Sequence, residues 1–274
     1  MKNLDKKTVE SFGDEWSKFD QSQMSKEEAK EIFEKYFNIF PWHNLPKNSE
    51  GFDMGCGSGR WASFVAPRVS ILHCIDPSSA LDIAKLKLKK FNNINFYNSS
   101  VDDVKLQENT QDFGYSLGVL HHVPDTQLAI KSCASLLKSG APLLLYLYYA
   151  FDNRPWWFVL VWKLSDILRK LISNFPSRLK ILITDIIAIL VYYPIARSCK
   201  VLNSLNVNVS KVPLSFYKNK SFYTMRTDSR DRFGTVLEHR FSKSQIKHMM
   251  ENAGLNNIKF SENEPYWCVV GFKK

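Results

Sequence analysis

The feature that most constrains this chain is a regular alternation of strand-like and helix-like segments between Gly51 and Tyr149. Short apolar runs that end in glycine or aspartate alternate with amphipathic stretches, and this order indicates parallel strands joined by helices. Two further strands are predicted near the C-terminus, at Ile258–Ser261 and Trp267–Phe272. We therefore predict an α/β fold with a doubly wound sheet of about seven strands.

The alternation is interrupted once, and the interruption divides the chain into predicted regions. After Asp152 two long apolar helical patterns follow, at Trp156–Ser173 and Leu179–Ala196, and then a polar, basic run. Residues 1–47 are predicted to form an N-terminal helical cap. Residues 48–150 and 236–274 are predicted to form the core, and residues 151–235 a helical, basic insertion.

The net charge of +10 belongs almost entirely to the insertion. Residues 151–235 contain 14 Lys and Arg against 5 Asp and Glu, whereas the rest of the chain contains 23 against 22. The positive charge therefore predicts that the insertion contacts an anionic substrate or an anionic surface. It argues against a wholly basic DNA-binding protein. The five cysteines form no C-x-x-C pair and the N-terminus lacks an apolar leader, so we expect a cytoplasmic protein without disulfides or a zinc site.

A glycine-rich turn follows the first predicted strand. It reads Asp53-Met54-Gly55-Cys56-Gly57-Ser58-Gly59, and the second strand ends at Asp76, 21 residues beyond Gly55. Glycines permit a tight turn and the close approach of a ligand, and a carboxylate at this spacing holds ribose hydroxyls in nucleotide-binding α/β folds.

Three segments resemble the motifs of class I S-adenosylmethionine-dependent methyltransferases, of the type 11 kind. Phe52–Gly59 is similar to the first motif of that family, Tyr115–Asp125 to the fourth, and Leu136–Pro142 to the turn before the fifth strand. The G-x-G-x-G pattern differs from the G-x-G-x-x-G of NAD(P)-binding folds. The resemblance covers residues 51–149 and implies a Rossmann-like methyltransferase sheet, with the insertion as a substrate lid.

The resemblance implies a binding site for S-adenosylmethionine and no metal. Asp76 would hold both ribose hydroxyls, Asp53 would lie near the amino end of the cofactor, and Val101 with its two neighbours would meet the adenine. The residues expected to bind the cofactor are Asp53, Gly55, Cys56, Gly57, Gly59, Asp76, Pro77, Ser100, Val101, Asp102 and Leu117.

His121 and His122 follow the fourth strand and are the candidate general bases, because histidine titrates near neutral pH. The alternative is that one or both only pack or cap the loop. The Asn/Asp-Pro-Pro-aromatic signature of methyltransferases that act on nucleobase amines or glutamine is absent, which weakens a nucleic-acid base as the acceptor.

Four residues are predicted to contact the methyl acceptor: Tyr148, Arg154, Arg226 and Tyr266. Arginines would favour an anionic acceptor, because guanidinium groups bind carboxylate and phosphate in paired hydrogen bonds. The alternative is that the arginines of the insertion form ion pairs with Asp152, Asp228 and Asp231, and that the aromatic residues are core. The segment Phe12–Trp16 is predicted to fold over the cofactor.

The apolar run Ile181–Ile195 contains Asp185 and Pro194 and falls short of the roughly 20 residues that span a bilayer, which disfavours a transmembrane helix. Three interpretations remain for it: a buried lid helix, a homodimer contact, or a peripheral membrane surface. The first two are favoured because apolar helices are more often buried.

The sequence thus predicts a methyltransferase that acts on a small-molecule, sugar-linked or lipid-linked acceptor, in the cytoplasm or at the membrane periphery. Two alternatives stay open. One is an RNA-directed methyltransferase whose basic insertion binds the nucleic acid. The other is a non-catalytic scaffold protein that retains the cofactor-binding fold.

Overall fold

The computed structural model describes residues 3–18 and 23–274, which form two compact units. The first unit contains the described residues up to Lys18 together with Ala29–Ala150 and Leu237–Lys274. The second contains residues 23–28 and Phe151–Val236. The predicted cap over residues 1–47 is therefore not a unit of its own, and its residues 1–2 and 19–22 lie outside the described part.

The first unit is built on a seven-stranded sheet with helices around it, which confirms the predicted fold class. The strand order is β3-β2-β1-β4-β5-β7-β6; β1 to β5 are parallel, and β7 runs antiparallel to both of its neighbours. The strands are β1 Glu50–Met54, β2 Ile71–Ile75, β3 Ile94–Tyr97, β4 Phe113–Leu117, β5 Pro142–Tyr146, β6 Leu255–Phe260 and β7 Cys268–Lys273. The helices are α1 Lys6–Lys18, α2 Lys26–Phe37, α3 Ala62–Val65, α4 Ala80–Leu88, α5 Thr126–Leu136 and α10 Lys243–Asn252.

Small and large residues alternate across the centre of the sheet. Gly51 pairs with Phe113 and Phe52 pairs with Gly114, so each aromatic ring lies over the glycine of the neighbouring strand. A Cβ atom on Gly51 would lie 2.3 Å from the Phe113 ring, and one on Gly114 would lie 2.2 Å from the Phe52 ring. This close packing fixes the register of β1 against β4, and with it the relative positions of the loops that follow both strands.

Strand β5 ends at Tyr146, near the point where the chain changes its pairing partner. Beyond that residue the chain pairs with the segment that returns from the second unit: the Phe241 amide donates to the Tyr148 carbonyl, and the Ala150 amide donates to the Phe241 carbonyl, both at 2.9 Å. The two segments that flank the insertion are thereby hydrogen-bonded to each other within the first unit.

The second unit is helical, with α6 Trp156–Ile172, α7 Ser177–Ile187, α8 Tyr193–Ser204 and α9 Phe222–Gly234. One turn of π-helix, Ala188–Tyr192, joins α7 to α8, so that the helix runs without a break from Ser177 to Ser204. The apolar run Ile181–Ile195 lies within this longer helix. The expectation that the run is too short to span a membrane is therefore wrong, since the whole helix is long and apolar enough by length and composition, the one such helix among the described residues. Pro194 falls in the first turn of α8, directly after the wider turn, and does not end the helix.

Many large apolar side chains of the second unit are exposed, although a small cluster around Met225 and Phe233 is buried. The helix Ser177–Ser204 is mostly exposed, whereas α9, a polar helix that the sequence pattern did not reveal, is buried along much of its length. With the exceptions of Leu86 and Leu128, every exposed large apolar side chain of the described residues lies between Trp156 and Val207. A buried lid helix would require these side chains to be covered, and they are not.

Candidate active site

The glycine-rich turn after β1 has a left-handed backbone at three positions. Gly55, Gly57 and Gly59 have φ angles of +81°, +53° and +78°. The amides of Gly55 and Cys56 donate to the Ile75 carbonyl at 2.8 and 3.0 Å, which ties the turn to the end of β2. Because β1 and β2 are parallel, this turn and the residues after β2 lie at the same edge of the sheet, where α/β folds bind their ligands.

Replacing Gly55 with alanine is expected to destabilise the protein more than the same change at Gly140. Both glycines have a φ of +81°, so both variants carry the strain of about 1–2 kcal/mol for a left-handed residue. At Gly55 the new Cβ would also lie 2.4 Å from the Val119 side chain, whereas at Gly140 it would meet nothing within 4 Å. Thermal unfolding of the two variants measures the difference, and equal losses would show that the contact with Val119 has no cost.

Asp76 is held by three hydrogen bonds directly after β2. Its Oδ2 accepts from the Gly57 amide at 2.9 Å, and its Oδ1 accepts from the Ser78 amide at 2.8 Å and the Ser78 hydroxyl at 2.6 Å. The residue is buried, and burial raises the pKa of its carboxyl, although these bonds oppose the rise. The carboxylate is fixed beside the glycine turn and keeps lone pairs for a ligand.

Asp53 is a second buried carboxyl at this edge. The Tyr115 hydroxyl donates to its Oδ2 at 2.9 Å, and burial raises the pKa of Asp53 to about 8 in spite of that bond. Neither Asp53 nor Asp76 forms an ion pair with a cationic side chain of the described residues. A positively charged group bound here would stabilise both carboxylates.

The raised pKa of Asp53 predicts how the stability of the ligand-free protein depends on pH. The folded protein holds this proton up to about pH 8, whereas the unfolded chain releases it near pH 4, so the folded state binds more protons between those values. Stability is therefore expected to fall as the pH rises through this window. Thermal unfolding of the wild type and of Asp53→Asn over pH 4–8 tests this; equal slopes would contradict it.

The residues after β3 form a small polar network. The Ser100 hydroxyl donates to Asp102 Oδ1 at 2.7 Å, the Asn3 amide donates to Asp102 Oδ2 at 2.8 Å, and Val101 is buried. Asn3 also exchanges two hydrogen bonds with the backbone of Asp125, at 2.7 and 2.8 Å. No sequence pattern indicates this role of Asn3, because its partners lie far along the chain.

Helix α1 lies against the same edge of the sheet. Its Phe12 ring lies 5.0 Å from the His122 ring, and a Cβ on Gly57 would lie 3.5 Å from the Trp16 ring. A Cβ on Gly13 would lie 2.6 Å from the Ser79 hydroxyl, so the helix packs closely at that point. The segment Phe12–Trp16 thus contacts both the glycine turn and the histidine loop.

The two histidines after β4 have different surroundings. His122 Nδ1 lies 2.7 Å from the Leu237 carbonyl oxygen, and a carbonyl only accepts, so Nδ1 carries the proton and Nε2 of the neutral ring carries the lone pair. His121 is fully buried, and its ring nitrogens have no hydrogen-bond partner among the described residues. Burial, and then the nearby His122 and Arg240, hold the pKa of His121 well below its usual value.

Aromatic side chains surround the histidines. The Tyr148 ring stacks on His121 at 3.8 Å and lies edge-on to His122 at 5.5 Å. Tyr146 contacts Tyr148 at 5.8 Å and Tyr36 at 5.0 Å. Tyr148 is among the residues predicted from the sequence, whereas Tyr36 and Tyr146 are not, because their position here depends on how α2 packs at the end of β5.

Arg240 was also missed. Its guanidinium lies 5.0 Å from the centre of the Tyr148 ring, pairs with Glu238 at 2.7 Å and donates to the Tyr149 carbonyl at 3.3 Å. The signal that could have found it is its position in the short return segment just before the capping box that opens α10 at Ser242.

The other three predicted acceptor residues have contacts of their own. Tyr266 packs on Tyr149 and Trp267, with ring centres at 5.6 and 5.0 Å. Arg154 and Arg226 belong to the second unit. There Arg154 donates to the Ser210 carbonyl, and Arg226 pairs with both carboxylate oxygens of Asp185 at 2.6 and 2.8 Å. Arg226 thus forms an ion pair with Asp185, a carboxylate that was not among the three expected.

The polar and small residues at this edge fit S-adenosylmethionine. Three glycines leave backbone without Cβ atoms at the turn, and two buried carboxyls with raised pKa values suit a ligand that carries a sulfonium and an amine. Pro77 follows Asp76 directly, Leu117 ends β4, and Cys56 is buried within the turn. The described residues contain no cluster of three or more His, Cys, Asp or Glu that could hold a metal, and all five cysteines are buried and free.

Comparison with known proteins agrees with this geometry. Residues 52–145 match the family model of a methyltransferase domain. They belong to the class I S-adenosylmethionine-dependent methyltransferases, which confirms the resemblance seen in the sequence motifs.

The curated relatives that the chain matches share this domain. The ubiquinone biosynthesis O-methyltransferase of Coxiella burnetii is 32% identical over 99 residues, which are 35% of this chain and 42% of the relative. The enzyme of the same name from Nitrosomonas europaea is 36% identical over 105 residues, 37% of this chain and 43% of the relative. The match therefore spans about two fifths of the length of these relatives.

Solved structures share the fold at low identity. The YcgJ protein of Bacillus subtilis superposes with a TM-score of 0.51 at 13% identity, over 83% of this chain and 70% of that one.

Proposed function

We propose that this chain transfers a methyl group from S-adenosylmethionine to a hydroxyl of a small-molecule, sugar-linked or lipid-linked acceptor, with His122 as the general base. The observation that carries the proposal is the hydrogen bond from His122 Nδ1 to the Leu237 carbonyl, which leaves Nε2 as the basic atom. The curated relatives are named O-methyltransferases, and this supports oxygen as the acceptor atom.

The cofactor supplies a methyl group that its sulfonium already activates, so the protein has two tasks: to align the acceptor and to take its proton. A hydroxyl placed beside His122 donates its proton to Nε2. The Leu237 carbonyl then stabilises the imidazolium by accepting from Nδ1–H, as a second group does for many catalytic histidines.

The remaining residues hold the reactants and exclude water. Asp76 would accept from the ribose hydroxyls, and Asp53 would lie at the end where the amino group binds. Tyr148 and the neutral His121 form a flat wall behind His122. In the ligand-free chain Phe12 covers His122, so an acceptor enters by displacing this part of α1.

The geometry gives no reason to require a negatively charged acceptor. Arg226 is engaged by Asp185, and Arg240, the arginine beside Tyr148, is engaged by Glu238. An RNA acceptor is also less well supported, because the exposed surface of the second unit is dominated by aliphatic side chains, which do not stack on bases as aromatic rings do.

The test is transfer of a tritiated methyl group from S-adenosylmethionine to a panel of acceptors with phenolic, sugar and aliphatic hydroxyls, alongside matched amines and RNA. The proposal expects label on a hydroxyl compound and release of S-adenosylhomocysteine. Label on amines or RNA alone would refute oxygen as the acceptor atom. Cofactor binding without any turnover across the panel would favour the non-catalytic scaffold.

A further inference from the structure

The second unit buries a small apolar cluster around Met225 and Phe233, but its helices leave many other large apolar side chains exposed. In α6 the exposed apolar side chains recur every three or four positions, at Trp156, Leu160, Leu164, Ile167 and Leu171. The helix Ser177–Ser204 carries a similar stripe from Leu179 through Ile186 to Tyr193. Together these two stripes are called the apolar face.

Buried polar groups also lie on the inner side of these helices. The Arg169 side chain is buried, pairs with Asp166 at 2.6 Å and donates to the carbonyls of Thr235 and Val236 at 3.0 Å. The Ser229 hydroxyl donates to the Thr184 carbonyl at 2.9 Å. A folded unit that leaves this many large apolar side chains exposed suits a surrounding medium that is itself apolar.

The charges at the edges of the apolar face are all positive. Lys163, Lys170, Arg178 and Lys200 are exposed on α6 and on the helix Ser177–Ser204. The two carboxylates on these helices, Asp166 and Asp185, are only partly exposed and pair with Arg169 and Arg226.

This charge pattern decides between the two surfaces that could cover the apolar face. A second copy of the chain would bring the same positive charges to the contact, with no exposed carboxylate on these helices to meet them. An anionic membrane supplies both an apolar layer and negative headgroups.

We propose that the apolar face inserts into the surface of an anionic lipid bilayer, with α6 and the helix Ser177–Ser204 lying in the plane of the membrane. Lys163 supports the in-plane arrangement, because it is exposed near the middle of α6, where a spanning helix would place its charge in hydrocarbon. In the plane, Lys163 and Lys170 reach the headgroups while Leu164 and Leu171 enter the acyl layer.

The experiment is vesicle flotation of the full chain without cofactor, so that its outcome does not depend on methyl transfer. Vesicles of equimolar phosphatidylcholine and phosphatidylglycerol are expected to carry the protein upward, and vesicles of phosphatidylcholine alone much less. The fluorescence of Trp156, which is 78% exposed, should shift to shorter wavelength on binding, and the shift should be lost in Trp156→Phe.

Two pairs of variants separate the apolar and the charged contributions. Leu164→Glu is expected to weaken vesicle binding by about tenfold or more, whereas Leu86→Glu, which changes a still more exposed leucine of the first unit, is not. Lys163→Gln with Lys200→Gln is expected to weaken binding by about 10- to 30-fold, and the control pair Lys89→Gln with Lys90→Gln to leave it unchanged.

Three results would overturn the proposal. The first is no flotation with anionic vesicles. The second is equal binding to neutral and anionic vesicles with no effect of the lysine changes. The third is a dimer in light scattering that Leu164→Glu dissociates while vesicles do not bind, which would assign the apolar face to a second copy of the chain.

Discussion

Replacing Asp76 with alanine is expected to weaken the binding of S-adenosylmethionine by about 100-fold or more. A carboxylate that accepts from two ribose hydroxyls contributes about 1.5–3 kcal/mol for each charge-assisted bond. The alanine also leaves the Gly57 amide without its acceptor at 2.9 Å, and so loosens the glycine turn. Isothermal calorimetry of the purified variant measures the change.

The control is Asp82→Ala, which removes an exposed carboxylate from the first turn of α4 and leaves the turn after β2 intact. Its affinity should equal that of the wild type. Circular dichroism shows whether Asp76→Ala is folded, and Asp76→Asn, which keeps the shape of the side chain, provides a second variant. Wild-type affinity in a folded Asp76 variant would refute the ribose-binding role.

His122→Asn is expected to lower kcat by about 10²- to 10⁴-fold, the usual contribution of a positioned general base. Asparagine can still donate to the Leu237 carbonyl through its amide, but it has no counterpart of Nε2. The variant therefore preserves the structural bond and removes only the basic atom. The measurement is methyl transfer to whichever hydroxyl acceptor the panel identifies.

His121→Asn is the informative comparison, because the ring of His121 is buried, uncharged and stacked on Tyr148. It is expected to change kcat by less than about tenfold, through packing alone. The exposed His43→Gln serves as the neutral control. The acidic limb of the kcat/KM profile should persist in His121→Asn and disappear in His122→Asn, and the reverse pattern would exchange the two roles.

Those parts of the fold and of the candidate site that depend on short stretches of sequence could be predicted from the sequence. Glycines with a required left-handed backbone, the carboxylate at the end of β2 and the capping box of α10 each depend on a few consecutive residues. The order of strand and helix patterns then defined the parallel sheet. These features fixed which edge of the sheet carries the site.

The rest depends on contacts between distant segments. Leu237 selects the tautomer of His122 from 115 positions away, and Asn3 reaches Asp102 across 99, so neither leaves a pattern in the sequence. Helix α9 was missed because its apolar residues do not lie on one face. The sequence pattern did not predict the full length of the helix Ser177–Ser204, because a proline such as Pro194 usually ends a helix. Here the π-helical turn directly before it lets the helix continue.

The hydrogen bonds between Tyr148, Ala150 and Phe241 bear on how such a protein can diversify. Because the segment Phe151–Val236 leaves and re-enters the first unit beside these hydrogen bonds, its length and surface can change without disturbing the strands that hold Asp53 and Asp76. The exception is the return segment, since Leu237 orients His122. The surface of the second unit can therefore change in evolution independently of the cofactor-binding strands. Leu237 cannot change its position in the same way, because its carbonyl orients His122.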